Sequence, residues 1–175
     1  LTGSAGTGRK VMEAASPRLK DVSLELGGKS PLIVFDDADV EHAARIALYA
    51  NFLTQGEICA NATRVFVQDS IHDALVERVL ALTAELRLGP PMDPSTQVGA
   101  LISGPHRELV HGFVEQARAE GARILCGGRN ATVKGHENGF FYEPTVIGEC
   151  RDEMTHVREE IFGPVMSLLR FKDEA

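Results

Sequence analysis

The stretch PLIVFDDADVEHAARIALYANF, residues 31–52, decides the fold. Its first five residues, PLIVF, form an apolar, β-branched run of strand length. The spacing then changes, because Val40, Ala43, Ala44 and Ala47 recur at helical intervals and share one face. A strand that runs at once into a helix is the first half of a βαβ unit. The second half follows: Arg64 to Gln68 reads as a strand, and Ile71, Leu75, Val79, Leu82 and Leu86 mark an amphipathic helix with Ser70 as its expected cap.

Upstream, GSAGTG (residues 3–8) is a tight turn into a helix expected from about Thr7 to Ala15, stopped by Ser16 and Pro17. Downstream, LGPPMDPSTQVG (residues 88–99) carries three prolines and two glycines and reads as a loop. Pro105 then opens a helix whose buried stripe is expected at Leu109, Phe113, Val114 and Ala117. Gly121 ends it, and Arg123 to Cys126 forms a strand. FFYEPTVIG (140–148) and VMSLLRF (165–171) supply two more strand-like runs. Strands alternating with helices of ten or more residues predict an α/β fold, a largely parallel sheet with helices on both faces.

The bulk composition fits such a domain. The chain of 175 residues is 43% apolar and 25% charged, ordinary for a soluble globular protein. Eighteen Lys and Arg scattered among twenty-five acids, a formal charge of −7, argue against a nucleic-acid partner. No apolar run has the length of a membrane span, and LTGSAGTGRK has no signal-peptide core, so no membrane partner and a cytoplasmic location are expected. Cys59, Cys126 and Cys150 form no CxxC or CxxH unit, which suggests neither a disulfide framework nor structural zinc. His106 and His111, five apart, do not share a helical face, so no catalytic metal is expected either. The chain opens inside a glycine-rich turn and closes just after a strand-like run, and both ends read as cut.

Two segments carry candidate chemistry. FLTQGEICANATRVFV (52–67) sets Cys59 on a polar turn preceded by a glycine, whereas Cys126, in RILCGG, reads as core. Cys150, in GECRDEM, sits beside several charges, which leaves exposure open, but it has no obvious activating partner and is assigned no role. Free cysteine is usually a small buried hydrophobe, so the polar neighbours of Cys59 are what single it out. Thirty-four residues earlier, LELGGKSP places Glu25 between two leucines; burial there would raise its pKa toward the range of a general base. The glycines at 3, 6 and 8 do not have the GxGxxG spacing, yet a small-residue turn opening a helix presents free N–H groups suited to a pyrophosphate.

LTGSAGTG, LELGGKSP, FDDAD, GEICANATR, DPSTQVGALIS, GARILCGG, FFYEPTV and REEIFGPV, in this order over essentially the whole chain, resemble the NAD(P)-dependent aldehyde dehydrogenase superfamily. ANFLTQGEICANATRVFVQ and CRDEMTHVREEIFGPVMS resemble most its betaine aldehyde and 4-trimethylaminobutyraldehyde branch. The resemblance implies that residues 1–27 end an NAD-binding domain and that 28–175 belong to a catalytic domain incomplete at its C-terminus. It implies Cys59 as nucleophile and Glu25 as the base for the hydrolytic water. Gly3, Ser4 and Gly6 would lie in the pyrophosphate turn, Gly27 along the nicotinamide, and Glu160 at the nicotinamide ribose with Phe162 beside it.

An aldehyde would be oxidised to a carboxylic acid through a thiohemiacetal and a thioester on Cys59. NAD is the implied cofactor, and NADP stays open because the residue facing the adenosine 2′ position lies upstream. The oxyanion asparagine and a C-terminal closing segment also lie outside these residues, so the isolated segment is expected to be inactive and the full-length protein to be a homodimer or homotetramer. Potassium is a possible structural ion in betaine-type members. Leu1, Ala62 and Ala100 depart from the family pattern without removing a reacting group. With no tryptophan and only Tyr49 and Tyr142, an aromatic cage for a trimethylammonium group is sparse here. A general aliphatic or semialdehyde dehydrogenase is therefore the alternative, and a catalytically silent structural member a second one.

Overall fold

A computed structural model describes residues 1–174. Its centre is a five-stranded sheet of β3 (Pro31–Val34), β4 (Arg64–Gln68), β7 (Val165–Phe171), β6 (Thr145–Gly148) and β5 (Arg123–Cys126), in that spatial order. The first four are mutually parallel, and β5 runs antiparallel to β6 at one edge. Helices α2 (Val40–Phe52) and α3 (Asp69–Ala84) cover one face; α4 (Gly104–Ala119) and the short α5 (Thr155–Arg158) cover the other. The expected α/β architecture is present.

Period-two alternation divides the central strands between the two layers, whereas edge strand β3 packs Leu32 and Val34 on one side and leaves Ile33 exposed. In β7, Met166 and Leu168 join the core under α2 and α3, while Val165 and Leu169 join the core under α4 and α5. β6 does the same with Val146 and Ile147. Central strands buried on both faces must be nearly continuous apolar runs, which is why VMSLLRF reads as it does. A second, two-stranded parallel sheet pairs β1 (Thr2–Gly3) with β2 (Glu25–Leu26), and α1 (Ala5–Ala15) lies between them in sequence. No helix of the described residues is long and apolar enough to cross a membrane.

Several local expectations need correction. Helix α1 starts two residues early, because the Ser4 side chain caps it by accepting from the Thr7 N–H at 3.2 Å. Ser70 does not cap α3; the cap is Gln68, without a side-chain bond, and the Ser70 hydroxyl instead lies 3.5 Å from Asp36 Oδ2. Leu86 falls beyond the end of α3. In α4, Val114 and Ala117 are buried and Phe113 packs against the same core as expected, but Val110 takes the place expected for Leu109, which stands exposed. Cys150 is not exposed: its sulfur sits 3.4 Å from His156 Nε2, and burial pushes its thiol up to about 12.

Candidate active site

Four separate segments wall one cleft of about 570 Å³: Thr2–Ser4, Glu25–Gly27, Glu57–Cys59 and Glu160–Phe162, with Leu109 of α4 at its side. Gly3, Ser4, Glu25, Gly27, Cys59, Glu160 and Phe162 therefore come together from positions spread over the whole chain. Gly6 does not; it lies in the first turn of α1 and is not a wall of the cleft. Leu109, predicted as core, is a wall instead.

The cysteine turn begins where α2 ends. Thr54 (φ 48°), Gln55 (φ 59°) and Gly56 (φ 75°) are three successive left-handed residues, a conformation that costs about 1–2 kcal/mol at each side-chain-bearing position. Neighbouring contacts hold it. Gln55 Oε1 accepts from the Gly99 N–H at 3.0 Å, and Glu57 Oε1 accepts from the Ile102 N–H at 3.1 Å. On the far side, buried Asn51 donates to Ala47 O (2.8 Å) and Ala62 O (3.1 Å), tying the segment after Cys59 back to α2. Gly56 is seated against the Gly163–Pro164 peptide so closely that any Cβ would collide with the Gly163 carbonyl.

Gly56→Ala is accordingly expected to cost about 2–4 kcal/mol, strain plus collision, in the denaturation midpoint of the full-length protein. Gly121→Ala, at φ 90° but with open space around the new Cβ, isolates the strain alone at about 1 kcal/mol. Equal losses at the two positions would show that the Gly163 contact is not tight.

Cys59 itself is exposed to the cleft. The other two cysteines are poor nucleophiles, because burial raises the pKa of both Cys126 and Cys150 and holds them as thiols. Cys150 belongs to a separate cluster with His156 and Lys29. There Lys29 Nζ donates to the His156 carbonyl at 2.8 Å, burial and Arg64 push Lys29 down to about 8, and burial and Lys29 push His156 down to about 4. Arg64 also donates from Nε to Lys29 O at 2.8 Å, which anchors the LELGGKSP segment to the start of β4.

Glu25 is exposed in the cleft, and the expected apolar burial is not found. The reason is strand alternation. Leu24 and Leu26 point together toward α1, where their methyl groups would meet a Cβ on buried Gly8, and the residue between them turns the other way. The next residues join the walls. Gly28 donates its N–H to Glu160 Oε1 at 3.2 Å, and a Cβ there would lie 3.1 Å from the Cys59 carbonyl. Glu160 Oε2 lies over Gly27, whose missing side chain makes the room. Gly28 is thus the joint between the segments of Glu25, Cys59 and Glu160. The GG doublet in LELGGKSP is its only trace in the sequence.

Glu57 is among the polar neighbours of Cys59 in sequence, but His106 and Leu109 escape the sequence reading, since nothing local places them beside the Cys59 turn. Among the described residues, no group of three His, Cys, Asp or Glu side chains is arranged to hold a metal ion.

The cleft lies at the end of a parallel strand pair and gathers an exposed cysteine, three carboxylates (Glu25, Glu57 and Glu160) and a helix N-terminus, groups suited to nucleophilic chemistry beside an anion site. The chain belongs to the aldehyde dehydrogenase family, whose family model matches residues 1–175. It is 53% identical over 174 residues to the betaine aldehyde dehydrogenase of Vibrio vulnificus and 51% identical to that of Brucella ovis, covering 99% of this chain and 36% of each relative. The crystal structure of Staphylococcus aureus betaine aldehyde dehydrogenase in complex with NAD+ superposes with a TM-score of 0.97 at 38% identity, covering 99% of this chain and 34% of that one. An NAD-dependent aldehyde dehydrogenase from Sinorhizobium meliloti gives a TM-score of 0.94 at 42% identity, covering 98% and 34%. The chain thus spans about a third of the length of the relatives it matches.

Proposed function

We propose that the protein oxidises an aldehyde to a carboxylic acid with NAD as cofactor, with Cys59 as nucleophile and Glu25 as base. The observation that carries this reading is the convergence of Cys59, Glu25, Glu160 and Phe162 on one cleft that also reaches the N-terminus of α1. Residues 1–27 would close a cofactor domain and residues 28–175 would belong to the catalytic domain; residue 175 itself lies outside the described residues. The separate β1–β2 sheet supports that division.

The residues present fit a dinucleotide. The first N–H groups of an α-helix have no partner within it and favour an anion, and beside them a Cβ on Gly3 would meet nothing within 4 Å, so a pyrophosphate has room to approach. The Glu160 carboxylate, held over Gly27 by the Gly28 N–H, is an acceptor for a ribose hydroxyl. When bound, NAD supplies the two-electron acceptor for the hydrogen on the aldehyde carbon.

The remaining chemistry is the chain's own. The Cys59 thiolate adds to the aldehyde carbon, forming a C–S bond and an oxyanion. Oxidation leaves a thioester on Cys59. Glu25 then takes a proton from a water, the resulting hydroxide adds to the thioester carbon, and the C–S bond breaks to return the thiolate and release the acid.

Betaine aldehyde or 4-trimethylaminobutyraldehyde is the proposed substrate class, supported by the relatives at 51–53% identity. One observation favours the general aliphatic or semialdehyde alternative. Tyr142 is buried, Tyr49 stands outside the cleft, and Phe162 is the aromatic side chain among the cleft walls. In the full-length protein, proposed to be a homodimer or homotetramer, kcat/KM for betaine aldehyde is expected to exceed that for an uncharged aldehyde of equal length by about 3- to 30-fold, the range of a desolvated cation–π contact. Preference for the uncharged aldehyde would select the alternative, and no oxidation of either would sink both.

A further inference from the structure

One contact joins the two sides of the cleft through a residue with no role so far. His106, in the first turn of α4, directs Nε2 at the Phe162 carbonyl oxygen at 2.6 Å. Its ring also meets the Phe162 ring edge-on, with centroids 6.1 Å apart. The same Nε2 lies 3.6 Å from Glu57 Oε1, and the two side chains are only 17% and 15% exposed. A carbonyl oxygen can only accept, so Nε2 carries a hydrogen, and the nearby carboxylate favours that arrangement.

Both partners need holding. Phe162 is a non-glycine residue at φ 57°, a left-handed conformation that persists only where its surroundings over-determine it. Glu57 stands two residues before Cys59, on the turn that already contains two left-handed side-chain-bearing residues. The segment from Gly99 to His106 grips both: Gly99 and Ile102 hold Gln55 and Glu57 through their N–H groups, and His106 reaches across to Phe162. Glu160, the carboxylate over Gly27, is two residues from Phe162 on the same short loop.

We propose that His106 is a positioning residue that clasps the Cys59 wall of the cleft to the Glu160–Phe162 wall, and so sets the register between the reactive sulfur and the nicotinamide end of the dinucleotide. The ligand in this statement rests on the function proposed above; the clasp itself does not. Loss of the Nε2–H contact lets Phe162 relax, which moves Glu160 and loosens the cofactor without removing any reacting group.

The test uses the full-length protein with His106→Ala and two amides, His106→Gln, whose Nε2–H reaches the same carbonyl, and His106→Asn, which falls short. Three quantities are measured: NAD affinity by calorimetry, KM for NAD against kcat, and the rate of Cys59 alkylation by iodoacetamide without cofactor, followed by peptide mass spectrometry. For Ala and Asn, Kd and KM for NAD are expected to rise about 10-fold with kcat within about 3-fold, and the alkylation rate to change by about 3-fold or more, while Gln stays within about 2-fold of the parent.

A protein that is merely destabilised would show Gln and Asn equally affected, and that result overturns the proposal, as does parental behaviour of both amides. If the Ala variant does not fold, the Gln and Asn pair decides alone. If the parent neither binds NAD nor oxidises an aldehyde, the proposed function fails. The alkylation rates then still decide the clasp, because they report the cysteine wall without any ligand.

Discussion

In the full-length protein, Cys59→Ala is expected to abolish NAD-dependent aldehyde oxidation, lowering kcat by roughly 10⁴-fold or more, while NAD affinity stays within about 3-fold. The size of the effect follows from the chemistry. Without the sulfur no covalent adduct forms, so the difficult oxidation is no longer divided into two easier steps, and neither of the other two thiols among the described residues can take over. Burial holds Cys150 as a thiol, up to about 12, and raises Cys126 as well, whereas Cys59 opens into the cleft. Cofactor affinity should survive because the residues that fit the dinucleotide, at the start of α1 and at Glu160, do not depend on the Cys59 side chain. Activity unchanged in this variant would remove the nucleophile assignment and leave the silent structural reading in possession.

Glu25→Gln should separate the two halves of the reaction. The amide has the shape of the carboxylate but cannot take a proton from water, so the thioester forms and then persists. A burst of about one NADH per active site is expected, followed by a steady-state rate about 10²- to 10⁴-fold below the parent, the range for loss of a general base. Rapid-mixing absorbance would read both phases. A variant with neither burst nor turnover would place Glu25 before acylation rather than after it. An unchanged steady state would move the base to another carboxylate, and Glu57 is the one that shares the cleft beside Cys59.

Glu25 marks how far local sequence carries. Leucines on both sides suggested a buried carboxyl, and a strand inverts that inference, since residues on either side of a given position share the opposite face. Leu24 and Leu26 face Gly8 of α1, and the same alternation turns Glu25 into the cleft. Flanking apolar residues therefore exposed the candidate base instead of burying it. Leu109 left the otherwise correct α4 stripe for a related reason. Leu109 and Val110 are both apolar, and which of them faces the sheet depends on the rotation at which α4 docks, a quantity that three-and-four spacing leaves free by one residue. The residue rotated outward became a wall of the site.

What the sequence determined by itself was the local and the periodic. The switch of spacing within PLIVFDDADVEHAARIALYANF, the apolar continuity of VMSLLRF and the breakers around them specify strands, helices and an α/β sheet, because burial on both faces demands those patterns. The same local reading isolated Cys59 by its polar turn, and the ordered motifs of the family marked Glu25, Glu160 and Phe162. Only the tertiary structure decided proximity. Gly28 joins three segments through one N–H and one absent side chain, Gly56 lets the cysteine turn seat on Gly163, and His106 reaches 56 positions along the chain to the Phe162 carbonyl. Contacts of that kind are set by how whole elements dock on the sheet, and no single stretch of residues encodes the distance between two walls that meet only after folding.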